Sequence, residues 1–244
     1  MNIIHWLIAS RLWVAFAAAA WSVESFERCG VWIRWTLVAQ IFFLTWIAYL
    51  FLTDHGIRKH RAAALVALTG ACVTFQGIET MVIPALCAIL VLLYRSHWLP
   101  ESLRKFALEL RNIPLFNNMV IGACWIVLCV LWPMQQAGIE FQSQLPNLVA
   151  SFMWITALSM SEDLFVETTP DATLRWLGKK TLRVVAVLLA CAAMGVSAVF
   201  SESSVSVWLS MIASLLLLLF MPGGKRTATK SWLIDAMIVL RFPF

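Results

Sequence analysis

The chain has 244 residues, of which 61% are hydrophobic and only 13% charged, with a mean hydropathy of +0.85. That balance excludes an ordinary soluble domain, whose charged share is about 25%, and places the chain in the polytopic membrane class. The net charge of +5 accompanies no RNA- or DNA-binding motif, so no nucleic-acid partner is expected. The excess reads as a topology signal and an attraction to anionic lipid headgroups.

A membrane-crossing helix needs about 17–25 predominantly apolar residues, fewer when segments pair or tilt. In chain order the spans fall near 3–23, 35–53, 62–78, 80–94, 113–132, 145–160, 182–200, 204–221 and 231–244, which makes eight and a shorter ninth. The first could be read as a cleaved leader. Arg11 lies inside it, however, and no Lys or Arg precedes it, which is the wrong charge order, so it is expected to stay as a span. Spans three and four share one apolar run broken only by Gln76, Gly77 and Glu79, which predicts a tight hairpin.

Two cytoplasmic stretches carry helical patterns of their own. In 98–112, Leu99, Leu103, Phe106 and Leu110 fall within about 60° on a helical wheel, as in an interfacial helix lying on a leaflet. In 169–178, Thr169 suits an N-cap, Pro170 the first helical position and Gly178 the stop. No linker or repeat divides the chain, so the expectation is one all-α domain, a transmembrane helical bundle over 1–244.

Orientation follows from the basic residues. Fourteen of the eighteen Lys and Arg residues follow spans two, four, six and eight, all loops of one parity. By the positive-inside rule those loops and the N-terminus are cytoplasmic, and the expected location is an integral one in a bacterial inner membrane. Trp32, Trp35, Trp132 and Trp208 fall near outer span ends and Trp98 and Trp232 near inner ones, the pattern of an aromatic belt. Five of the six cysteines lie in spans and no C-x-x-C occurs, which predicts buried free thiols rather than disulfides or a metal site.

Chemistry, if any, is concentrated in two loops. Glu162, Asp163, Glu167 and Asp171 place four of the thirteen acids within ten positions, and Lys179 and Lys180 follow. Asp163 and Glu167 are i, i+4 and share a helical face. Magnesium takes one or two carboxylates plus phosphate oxygens and water, so this density suits one ion and a diphosphate; a solvated loop whose acids offset its lysines is the bland alternative. After span two come Asp54, His55, Arg58, Lys59, His60 and Arg61, either a phosphate cradle or positive-inside anchors. Arg11 and Asp235 are charges within apolar segments, which calls for partners, a wet cavity or snorkelling to an interface.

With those loops in view, the chain resembles the UbiA superfamily of intramembrane prenyltransferases. The stretches that carry the likeness are Asp163-x-x-x-Glu167-x-x-x-Asp171 followed by Thr173-Leu174 and Gly178-Lys179-Lys180, and also Ser10 to Trp13, Thr45 to Tyr49, Arg111 to Pro114 and Ile234-Asp235. The resemblance implies a nine-helix fold with an inside N-terminus. It also implies transfer of a prenyl group from a prenyl diphosphate to an aromatic or lipid acceptor, with Mg²⁺ as cofactor. On that reading Asp54, Asp163, Glu167 and Asp171 are metal-side, and Arg58, Lys59, Arg61, Lys179 and Lys180 bind the diphosphate. The family's first motif, N-x-x-x-D-x-x-x-D, falls on Leu50-x-x-x-Asp54-x-x-x-Arg58, so one of its three positions is kept. A lysine common in the family's fifth helix falls on Asn117. The alternative is therefore a non-catalytic protein of the same fold, a lipid-binding or scaffold subunit with protein partners in the membrane. A small transporter using Arg11 and Asp235 is a third class.

Overall fold

The computed structural model describes residues 11–52, 60–75, 77, 82–94, 100–103, 105, 112–164, 172–200, 204–220 and 228–241. Among these, every regular element is helical and no strand occurs, as the composition predicts. The principal helices are α1 (Leu12–Arg28), α2 (Trp35–Leu52), α3 (Arg61–Val73), α4 (Val82–Tyr94), α5 (Phe116–Ala137), α6 (Leu145–Asp163), α7 (Ala172–Phe200), α8 (Val205–Phe220) and α9 (Ala228–Val239). Among the described residues, only α5 and α7 are both long and apolar enough to cross a membrane unaided. At 13 residues each, α3 and α4 reach about 20 Å, short of the roughly 30 Å hydrocarbon layer.

Local chemistry explains where these helices stop. The α1 and α5 C-termini close in the same way: the Gly30 and Gly138 N–H groups donate to Glu27 and Gln135, and Val31 and Ile139 donate to Phe26 and Met134. This double closure requires the left-handed backbone that both glycines adopt, φ 66° and 70°. The short helix predicted before Gly178 is present as the first turn and a half of α7, and the chain breaks at Gly178 before continuing as a long helix. Thr169 to Asp171, expected to cap it, lie outside the described residues. So does most of 98–112, of which Glu101 to Leu103 and Lys105 are helical.

Successive helices pack as neighbours except α3 and α4, the expected hairpin pair, which make little contact among the described residues, and α1 runs against α2, α5 and α9. The main core gathers Val14, Trp21 and Phe26 of α1, Leu37 and Ile41 of α2, Trp125 and Trp132 of α5, and Trp154 and Leu158 of α6. A second core joins α6 to α7 through Ala157, Met160, Leu182, Ala186 and Ala190. The alanines every four residues let the two backbones approach closely. Gly122 serves α5 likewise, since a β-carbon there would meet Thr156 Oγ1 at 2.6 Å.

Polarity runs opposite to that of a soluble bundle. The outer face of α7 presents Val184, Leu188 and Val199, and that of α8 presents Val205, Leu209, Ile212, Leu216 and Phe220, with Leu188 63% and Phe220 76% exposed. Ser206, Ser210 and Ser214 of α8 face inward, where Ser206 donates to the Arg241 carbonyl, Ser210 to the Met237 carbonyl, and Ser214 accepts from Trp154 Nε1 at 3.1 Å. A continuous apolar exterior over a hydroxyl-bearing interior is what a lipid solvent selects. Several hydroxyls also bond within their own helix, Ser22 to the Ala18 carbonyl at 2.7 Å, Ser25 to Trp21 at 3.0 Å and Thr74 to Gly70 at 2.8 Å.

One aromatic expectation changes. Trp32 is 95% exposed, as a belt residue should be, but Trp132 is fully buried in the main core. The cause lies in α5, where Val127–Leu131 form a π-turn. Its extra residue rotates the remainder of the helix by about 100° around the axis, turning Trp132 inward.

Candidate functional site

Between α1, α2, α4, α5, α6 and α9 lies a cavity of about 530 Å³, within the 300–1,000 Å³ range of small-molecule sites. Its wall is hydrocarbon and aromatic for most of its extent, with Val14, Ala18, Leu44, Ile121, Trp125 and Ile155 among the lining residues. Its charged lining groups among the described residues are Arg11, Glu162 and Asp235.

These charges share one end of the cavity. Arg11 immediately precedes α1, Tyr49 lies three residues before α2 ends, Glu162 is the penultimate residue of α6, and Asp235 sits in α9. Tyr49 is close enough to feel the fields of Asp235, Glu162 and Arg11, and its hydroxyl accepts from Trp125 Nε1 at 3.3 Å. Arg11 holds the left-handed backbone, φ 58°, which is strained for a residue with a β-carbon and gathers at functional positions. The cavity is thus amphiphilic, an apolar volume bordered at one end by one cation, two carboxylates and a phenol.

The sequence-predicted site residues distribute differently. Asp163, adjacent to Glu162 but about 100° around the helix, turns to α5, where its Oδ2 accepts from Asn118 Nδ2 at 2.9 Å. Asn118 also donates to Ser159 Oγ at 3.2 Å and accepts from Thr173 Oγ1 at 3.3 Å, while Thr173 receives the Leu115 N–H at 2.8 Å. Asp163 therefore belongs to a buried network that ties α5, α6 and α7 at one end. Arg61, Lys179 and Lys180 are exposed. Asp54, Arg58, Lys59, Glu167 and Asp171 lie outside the described residues. Among the described residues no group of three or more His, Cys, Asp or Glu is placed to hold a metal.

At the other end of the bundle a buried ionic cluster closes the core. Glu24 accepts from Arg28 Nε at 2.7 Å and pairs with Arg241 at 3.7 Å. The Arg241 side chain is wholly buried, its guanidinium 5.0 Å from the Trp21 ring and 4.5 Å from Trp154. Trp21 in turn stacks on Trp125 at 5.8 Å and meets Trp154 edge-on at 5.5 Å. These rings are already committed to a cation of the protein's own.

Sequence reading found Arg11 and Asp235 by the cost of charge in an apolar segment. It counted Glu162 among the acids without giving it a role, and it missed the Glu24–Arg241 pair. No family model, curated protein or solved structure matches this chain.

Proposed function

We propose that the protein is an integral membrane bundle of eight to nine spans, of UbiA type, that binds a prenyl diphosphate and transfers its prenyl group to a lipophilic acceptor. The observation that carries this reading is the amphiphilic cavity, with room for an isoprenoid tail along its wall and a charged end for a headgroup. The apolar exterior of α7 and α8 supports the membrane setting, and the basic loops support a cytoplasmic N-terminus.

The chain's own groups divide the work. Apolar walls exclude water from the tail and from positive charge developing at the allylic carbon. Arg11 can neutralise a phosphate oxygen by charge-assisted hydrogen bonding. Glu162 and Asp235 are hard oxygen donors that fit a single magnesium ion, which needs few protein carboxylates. When bound, that ion would supply charge stabilisation on the departing diphosphate. Asp163, through Asn118 and Thr173, fixes the end of α6 on which Glu162 stands, and Asp54, Glu167, Asp171, Arg58 and Lys59 complete the proposed set.

Trp125 on the cavity wall provides the assay. Geranylgeranyl diphosphate should quench its fluorescence saturably, with magnesium tightening binding, and Glu162→Gln/Asp235→Asn should weaken it at least tenfold. Absent binding, or binding indifferent to both magnesium and the variant in folded protein, overturns the reading. The second reading, a non-catalytic lipid binder, is favoured by Asp163 being engaged by Asn118. It predicts saturable binding without diphosphate release when lipophilic acceptors are supplied.

A further inference from the structure

Three of the six cysteines, Cys87, Cys124 and Cys129, face the cavity. Cys129 is engaged with Ser22 of α1. Cys87 of α4 and Cys124 of α5 line the same cavity from two neighbouring helices, close enough for each to act on the other's thiol. Both are unbridged.

A buried cysteine is ordinarily a small hydrophobe. This pair differs because it borders a ligand-sized space rather than filled core, with Cys124 part-exposed and the buried Cys87 behind it. Access and direct attack are what dithiol oxidation requires. The surrounding wall, Pro84, Val120, Ile121 and Leu128, decides which oxidant can arrive. A polar, charged oxidant such as glutathione disulfide would be stripped of water without compensation. A membrane-soluble one would not.

We propose that Cys87 and Cys124 form a redox-active dithiol that a lipophilic quinone, entering the cavity from the bilayer, oxidises to a disulfide joining α4 to α5. Two S–H bonds break and one S–S bond forms. The two electrons and two protons pass to the two quinone oxygens, which leave as a hydroquinone. The bridge fixes one wall of the cavity, so the redox state of the membrane pool sets how freely that wall moves. This inference is independent of the prenyl-diphosphate reading, since it needs only the cavity and the two thiols.

The test treats the purified full chain in detergent with decyl-substituted benzoquinone or with glutathione disulfide. Thiols are then counted after denaturation, quinone absorbance is followed, and peptides are mapped by mass. Expected are loss of two of the six thiols, one hydroquinone per protein, a Cys87–Cys124 cross-linked peptide, and no reaction with glutathione disulfide. Cys129→Ser should behave as wild type, whereas Cys87→Ser and Cys124→Ser should keep all their thiols. Six thiols remaining in protein of unchanged helicity, or a quinone adduct in place of the cross-link, overturns the proposal. The peptide map on the unmodified chain decides even if a serine variant fails to fold.

Discussion

Glu24 is a residue whose removal should cost the fold heavily. Its carboxylate lies 3.7 Å from the Arg241 guanidinium, an attraction of about 4–5 kcal/mol at an effective dielectric of about 20. Glu24→Ala leaves a wholly buried guanidinium with no opposite charge near it among the described residues, and breaking such a pair typically costs about 3–5 kcal/mol. That is a loss of about two to four powers of ten in the folded-to-unfolded ratio. The two partners are not equivalent, because Glu24 keeps Arg28 when Arg241 is removed. Arg241→Met should therefore cost clearly less than Glu24→Ala, and Glu24→Ala/Arg241→Met should recover most of the loss. Thermal unfolding of the four proteins in one detergent, read as a double-mutant cycle, measures this. Equal stability of Glu24→Ala and wild type, or a double variant no better than Glu24→Ala, would refute the reasoning.

Three further predictions concern packing, the polar network and the loop thiol. Gly122→Ala should destabilise by about 1–3 kcal/mol, because its β-carbon meets a stiff β-branched Thr156 rather than a flexible chain end, and thermal unfolding would show it. Asn118→Ala strips partners from Asp163 and Thr173 and should cost about 1–3 kcal/mol. Because the same network holds the end of α6 that carries Glu162 and bonds the cavity-lining Ser159, it should also weaken saturable lipid binding, which equilibrium binding to the folded variant checks. Burial pushes the Cys29 thiol above its usual range, with Arg28 pulling against the shift and Glu24 adding to it. Less thiolate is then present at neutral pH, so maleimide labelling of a variant carrying Cys29 alone should be slow and should keep accelerating past the pH at which an exposed thiol levels off. A rate matching that of a free thiol would contradict it.

What the sequence revealed and what it hid divide along a physical line. Helices at Trp35–Leu52 and Val82–Tyr94 follow from predominantly apolar runs, and the break at Gly178 from a residue that favours stopping a helix. These depend on neighbours in the chain, which a sequence displays. Whether Glu162 or Asp163 faces the cavity depends on which helices flank α6, and two adjacent residues on one helix carry no local mark of that choice. The Glu24–Arg241 pair joins positions near opposite ends of the chain, and neither residue sits in a pattern that names its partner. The inward turn of Trp132 was hidden for a third reason: an apolar helix in lipid has no polar face to reveal a one-residue slip in register.

The hydroxyls of Ser22, Ser25 and Thr74, bonded to carbonyls three or four positions back in their own helices, bear on how the molecule is made. A hydroxyl that waits for a neighbouring helix would enter the bilayer exposed, and inserting it alone would be costly. One that brings its own acceptor needs no companion at that moment. On the proposed membrane reading such a hydroxyl is satisfied before its helix meets a neighbour, and bonds between helices form only where, as at Ser210 and Ser214, a partner is waiting. The first acceptor of each such hydroxyl is in this sense written into its own segment of chain.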